Sequence, residues 1–248
     1  MIARISGVET PASDRARGQL FSICGNLLVF ARSGSPSVLA SMCWENGKRI
    51  ADGAAYISSS DGTTVVCFVN PDGSKDFCGN ALLGVCDYLG RSRTRLISGS
   101  FEIVAERHTA ATVVISGVRC VPRDVMFRGQ PATLVDVGTE HCVVTAAAVH
   151  AYPLSMAGPE ATRSLGASLT VYESRGGVAV ARTYERGVED ETLGCGTGAV
   201  AVQIVRGEVQ GDIAFPGGTY HVTVHKAADQ RIIKLSVATD AITFIREV

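Results

Sequence analysis

"KDFCGNALLG" (75–84) sets a cysteine between an acidic turn and a Gly-Asn step, then runs directly into an apolar stretch. "DETLGCGTGAVAV" (190–202) repeats the arrangement. Each apolar run ends at a glycine: "NALLGVCDYLG" near Gly90 and "GAVAVQIVRG" near Gly207. The spacing predicts two helices that start at Cys78 and Cys195 and stop at a glycine. Both runs are apolar nearly all round, which fits helices buried on every side rather than surface helices with one wet face.

Strand patterns surround them. "TTVVCFV" (63–69) is β-branched and apolar and stops at the turn "NPDG", which puts Asn70 at a strand end beside Pro71 and Gly73. "ATVVISG", "ATLVDVG" and "HCVVTA" follow, and "SLTVYESRGGVAVARTYERG" reads as a hairpin closed over Ser-Arg-Gly-Gly. The last forty residues alternate in "YHVTVHK", "RIIKLSV" and "AITFIRE", the signature of more antiparallel sheet. The expected class is α/β (α+β): sheet wrapped round two buried helices. Cys78 and Cys195 lie 117 positions apart in a chain of 248, and in each copy an acidic residue precedes the Cys-Gly step. This predicts an internal duplication into similar domains, 1–120 carrying Cys78 and 121–248 carrying Cys195. The break is expected near "RCVPRD" (119–124), with the last strand free to pack on the N-terminal domain.

Composition narrows the function classes. A hydrophobic fraction of 46% with 19% charged residues describes a soluble globular protein. A net charge of −1 offers no footprint for a nucleic-acid backbone or an anionic membrane. "MIARISGVETPASDRARGQL" has no signal-peptide core, and no apolar run approaches the roughly 18 residues that span a bilayer. The expectation is a cytoplasmic protein whose partner is a small molecule, with a second copy of the chain as the one further partner.

Eight cysteines raise the question of disulfides or metal, but none form a C-x-x-C and none stand at zinc-knuckle spacing from a histidine pair. His221 and His225, on an alternating strand, are roughly 13 Å apart along the chain, too far for one ion. No metal is expected. Cys43, Cys67, Cys86, Cys120 and Cys142 sit inside apolar stretches and read as small buried side chains. Cys78 and Cys195 do not fit that description. The free N–H groups and positive end of a helix favour a carboxylate or phosphate, and Gly79, Gly196 and Gly198 let such a group approach the backbone. The same field lowers the pKa of a thiol beside it. If the two starts face each other, they can grip one carboxylate while the thiols flank the carbon next to it. A thiolate on one face then removes the α-proton and a thiol on the other returns one with inversion.

The segments "FVNPDGSKDFCGNALLGVCDYLG" and "RTYERGVEDETLGCGTGAVA" resemble the two signature segments of diaminopimelate epimerases, cofactor-independent enzymes that invert an amino-acid α-carbon with two cysteines. "CGNLLVF" (24–30), "ADG" (51–53) and "VGTEHCVV" (137–144) are similar to further family segments, so the resemblance covers most of the chain. It implies two similar domains, each a β-barrel-like sheet round a central helix, with the site in the cleft between them. It implies no cofactor, pyridoxal phosphate included. It makes Cys78 and Cys195 the acid/base pair and gives the main-chain N–H groups of Gly79, Asn80, Gly196 and Thr197 to the α-carboxylate. Asn26 and Glu185 would hold the amine and neighbouring groups, Asn70 and Arg186 would reach the far end of the substrate, and His141 would stand near the site.

The departures concern the far end. Thr139, followed by Glu140, stands where the family has an asparagine, and Ser168 stands where it has another; those asparagines help bind the distal amino-carboxylate. "ALLG" replaces Gly-Ala-Arg-Cys, making Leu82 and Leu83 more apolar than the pattern. An intact catalytic end with an altered distal end implies inversion of a different side chain, a polar or basic amino acid such as histidine or a diamino acid; Glu140, if it points inward, would favour a basic one, and on the surface it would do nothing. The alternatives are diaminopimelate epimerase itself, a cysteine-nucleophile hydrolase using His141 as base, and a binding protein that keeps the carboxylate cradle without chemistry.

Overall fold

A computed structural model describes residues 17–60, 63–227 and 229–248. The reading of the N-terminus rests mainly on residues 1–16, which lie outside them. Among the described residues nearly all strands belong to one 18-stranded sheet, and four α-helices accompany it: α1 Pro36–Ser41, α2 Gly79–Leu89, α3 Leu154–Leu165 and α4 Gly196–Arg206. The class is α+β, mostly sheet with few helices.

α2 and α4 begin and end where the sequence predicts. Cys78 and Cys195 are the N-caps, each extended, and Gly90 and Gly207 close the helices with left-handed φ of 63° and 71°. Residues 79–86 of α2 and 196–203 of α4 are all buried. α2 packs against strands Gly18–Ile23, Asn26–Ala31, Phe101–Arg107, Ala110–Val118 and Gln230–Ala238. α4 packs against Gln130–Asp136, Glu140–Thr145, Gln210–Phe215 and Gly218–Ala227. Apolar residues on all sides of both helices thus meet sheet on all sides. One core joins them, running from Ile23, Leu82 and Leu83 through Val113 and Leu235 to Val200 and Tyr220.

The order of pairing recurs along the chain. Asn26–Ala31 runs parallel to Gly53–Ser60, which is antiparallel to Thr63–Val69, which is parallel to Arg93–Ser98 after α2. Glu140–Thr145 runs parallel to Ser168–Arg175, antiparallel in turn to Val178–Glu185, which is parallel to Gln210–Phe215 after α4. The two runs are stitched together: Ala110–Val118 pairs with Gln230–Ala238, and the last strand, Ile242–Glu247, pairs with Gly18–Ile23. The expected hairpin forms with a tight turn at Gly176 and Gly177, whose φ of 56° and 90° match a type I′ connection.

The sequence reading did not single out α1 and α3. α1 is a six-residue helix with Ser35 as N-cap and Pro36 at its start, and it covers a small core with Val29, Ala31 and Val69. α3 holds Gly158 and Pro159 in mid-helix, a pair that argues against a helix on propensity. Packing overrides it: a Cβ at Gly158 would sit 2.1 Å from the Tyr184 ring, so only glycine lets α3 close on its sheet. Cys67 is only half-buried, in contrast to the expectation for it, because its strand has one face toward solvent.

Candidate active site

The two helix starts meet. A Cβ placed on Gly79 would lie 3.3 Å from the backbone of Gly196 and of Thr197, and one on Gly196 would lie 3.3 Å from the Asn80 nitrogen. The backbones approach this closely because neither residue carries a side chain. The N–H groups of Gly79, Asn80, Gly196 and Thr197 are first-turn donors with no carbonyl partner inside their own helices. Two positive helix ends therefore face one space. Each cysteine caps its own helix: Cys78 Sγ accepts from the Ala81 N–H at 3.5 Å, and Cys195 Sγ from the Gly198 N–H at 3.3 Å.

A small enclosed cavity opens between the starts, with about 20 Å³ of room for water-sized molecules. Cys78, Cys195, Gly79, Asn80, Gly196, Thr197, Asn70, Thr139, Ser168, Glu185 and Arg186 all line it. Residues 68–80 and residues 139–197 are thus brought to one place. Phe68, Asp76 and Phe77 line it as well and were not among the expected site residues. Asp76 and Phe77 immediately precede Cys78, so the signal was their position; nothing about an acidic and an aromatic side chain there announced a role.

Several of the residues singled out in the sequence stand away from the cavity wall. Asn26 is buried but turned to Asp52, donating to Oδ2 at 3.1 Å, and is not part of the cavity wall. His141 is fully buried behind Thr197, again outside the wall. Glu140 is tied to Arg123 at the surface and does not point inward. Leu82 and Leu83 fill the core, so "ALLG" bears on packing and not on the substrate.

The helix field was expected to lower both thiol pKa values. They are instead raised, Cys78 and Cys195 alike, first by burial and then by the Glu185 carboxylate; the N–H bonds to sulfur offset this only in part. The thiols are neutral in this form. Glu185 is itself pushed up to about 7, by burial foremost, while a hydrogen bond from the Thr192 hydroxyl holds it down. A carboxyl poised near neutrality therefore stands beside both sulfurs.

Behind Cys195 runs a chain of polar side chains. Its Sγ lies 3.4 Å from the Thr197 hydroxyl, which is 3.0 Å from His141 Nε2; His141 Nδ1 is 2.9 Å from the Thr170 hydroxyl, itself 2.9 Å from that of Thr183. Burial lowers the His141 pKa to about 3, so the ring is neutral, with one donor and one acceptor nitrogen. Thr197 has one proton to donate. When Cys195 donates as a thiol, Thr197 donates to Nε2 and Nδ1 carries the ring proton; when Cys195 is a thiolate, Thr197 turns to sulfur and Nε2 must carry it. This chain gives the His141 tautomer a route to follow the charge on Cys195. With both ring nitrogens occupied by threonines, His141 is not placed to act on a thiol directly.

The counterpart behind Cys78 is structural. Asn80 Nδ2 donates to the Gly194 carbonyl at 3.0 Å, and Tyr220 Oη donates to Asn80 Oδ1 at 2.9 Å. At the far end, Asn70 lies at its strand end as expected and donates to Ser74 Oγ, while Ser168 Oγ accepts from the Arg186 N–H.

Comparison with known proteins gives the family. The diaminopimelate epimerase of Thermotoga maritima is 30% identical over 179 residues, covering 68% of this chain and 75% of that protein. The chain belongs to the diaminopimelate epimerase family. As a member of that family it is an isomerase. No family model matches the chain. Among solved structures, a phenazine biosynthesis protein of the PhzF family from Bacillus anthracis has a TM-score of 0.72 at 12% identity, covering 94% of this chain and 98% of its own. A hydroxyproline epimerase from Agrobacterium vitis, with bound trans-4-hydroxy-L-proline, has a TM-score of 0.68 at 12% identity and covers 94% and 90%. These two share the fold of the epimerase family. No helix among the described residues is long and apolar enough to cross a membrane.

Proposed function

We propose that the chain is a cofactor-independent amino-acid racemase or epimerase in which Cys78 and Cys195 act as acid and base on opposite faces of one α-carbon. The observation that carries this reading is the meeting of two cysteine-capped helix starts round a single cavity. The α-carboxylate binds the N–H groups of Gly79, Asn80, Gly196 and Thr197. Removing the α-proton moves negative charge onto that carboxylate, so two helix ends already aimed at it stabilise the charge that develops. Glu185 takes the α-ammonium, and the added positive charge favours formation of a thiolate that burial alone opposes. One thiolate then takes the α-proton while the opposite thiol delivers its own, and the carbon inverts.

Space for about one water does not hold an amino acid, so lining side chains shift to admit the substrate. The far wall, with Thr139 and Ser168, supports a polar or basic amino acid such as histidine or a diamino acid as substrate, with diaminopimelate as the alternative. The recurrent pairing order supports an internal duplication into 1–120 and 121–248, each end handing a strand to the sheet of the other. The test is chiral chromatography of single-enantiomer amino acids, diaminopimelate included, after incubation with the reduced protein. Appearance of the opposite configuration at the α-carbon is expected for at least one of them. Retention of configuration throughout the panel would overturn the reading.

A further inference from the structure

The far end of the cavity is marked by one ion pair. Arg186 Nη2 donates to Asp76 Oδ2 at 2.8 Å, Nη1 donates to the Gly166 carbonyl at 2.5 Å, and the second Asp76 oxygen accepts from the Phe77 N–H at 2.9 Å. Asp76 is the more enclosed partner, its side chain 11% exposed against 39% for Arg186. Beyond the pair lies an open groove of about 850 Å³ whose walls include Lys75, Ser98, Phe101, Arg119 and Asp136. Phe68, Asp76, Phe77 and Arg186 line both the cavity and the groove, so they form the partition between them.

A side chain extending from an α-carbon held between the cysteines reaches this partition. A free arginine there would match a second carboxylate by paired hydrogen bonds. This arginine is already matched. An incoming carboxylate would have to displace Asp76 from Arg186 and then lie beside its charge. A cation or hydrogen-bond donor meets the opposite situation, because Asp76 keeps acceptor capacity and the phenylalanines cover an apolar stem.

We propose that Asp76 sets the substrate class: by engaging Arg186 it closes the side-chain pocket to amino acids with a second carboxylate and selects those whose side chain ends in a cation or hydrogen-bond donor. The inference rests on the racemase reading above and deepens it. The test compares kcat/KM for α-inversion of histidine, ornithine, glutamate and LL-diaminopimelate by wild-type protein, Asp76→Asn and Asp76→Glu. Thermal-shift binding of the same four compounds is measured in parallel. Wild type is expected to favour histidine or ornithine over both dicarboxylates by about 100-fold, a difference of two tenfold steps at about 1.4 kcal/mol each. Asp76→Asn should narrow that ratio at least tenfold, and Asp76→Glu should retain it. A wild-type preference for diaminopimelate or glutamate overturns the proposal whether or not a variant folds, as does an unchanged ratio in Asp76→Asn. Inversion of none of the four, with the predicted order of binding intact, would remove the racemase reading for these substrates and leave the pocket assignment standing.

Discussion

At Cys78 and Cys195 the chain builds the same cap twice, and the two residues beyond the caps go separate ways. Each sulfur accepts the N–H three positions on, and each is followed by a glycine that meets its counterpart. Two positions after Cys78, Asn80 spends its side chain on the Gly194 carbonyl and Tyr220 hydroxyl, a tie across the join. Two positions after Cys195, Thr197 hangs on His141 and the threonine chain behind it. In the proposed mechanism the parts that touch an α-carbon and its carboxylate are paired because a planar carbanion is open to a proton on both faces. The supports behind them are not constrained by that symmetry, and here one holds the halves together while the other is wired to a proton.

The contrast orders its own tests. Cys78→Ala and Cys195→Ala should each lower inversion by about 10²- to 10⁴-fold in both directions, since each removes a whole acid/base group; chiral assay of both enantiomers checks this, and a variant still inverting at full rate would break the pairing. Asn80→Ala leaves the buried Tyr220 hydroxyl and Gly194 carbonyl without their partner, at about 1–3 kcal/mol each. Its mark should be a lower urea midpoint at unchanged m-value. Thr197→Val should do the reverse, reducing kcat about tenfold for loss of one hydrogen bond to the working sulfur with a smaller effect on the midpoint than Asn80→Ala. If the two variants exchanged phenotypes, the assignment of one support to stability and the other to chemistry would be wrong.

The smallest effect is a pH dependence. His141 holds a folded-state pKa of about 3 against an ordinary 6.5, so the unfolded chain takes up a proton that the folded chain refuses. Its contribution is fully present above pH 6.5 and is lost as pH falls toward 3. His141→Gln should therefore lose less stability than wild type between pH 7 and pH 4, measured as the difference in urea midpoints. Parallel curves would mean that His141 is not the buried neutral group described.

Both helices, their glycine stops and the strands around them were legible because a run apolar on every side has one home, the inside of a sheet. The pairing of Cys78 with Cys195 was legible because a helix start is a local feature with a known field. α3 was not, since Gly158 and Pro159 oppose a helix locally and only the Tyr184 ring, far along the chain, explains the glycine. The direction of the thiol pKa was misread for the same reason. The field of a helix end is visible in sequence, whereas burial and the nearness of Glu185 belong to the tertiary structure. Asp76 shows the limit most clearly: it was noticed as an acidic residue before the Cys-Gly step, and its role depends on Arg186, 110 positions away.

In the proposed mechanism two different thiols serve the two faces of one carbon, and the isotope content of the product at early conversion distinguishes two thiols from one. With a protonated single-enantiomer substrate in deuterated water, a thiol exchanged with solvent delivers a deuteron to the new face, while the proton removed stays on the opposite sulfur. The inverted product is expected to carry deuterium from the first turnovers while recovered substrate remains protonated. An inverted product that retains the substrate's own proton would mean that one group both takes and returns it, and would contradict the two-cysteine site.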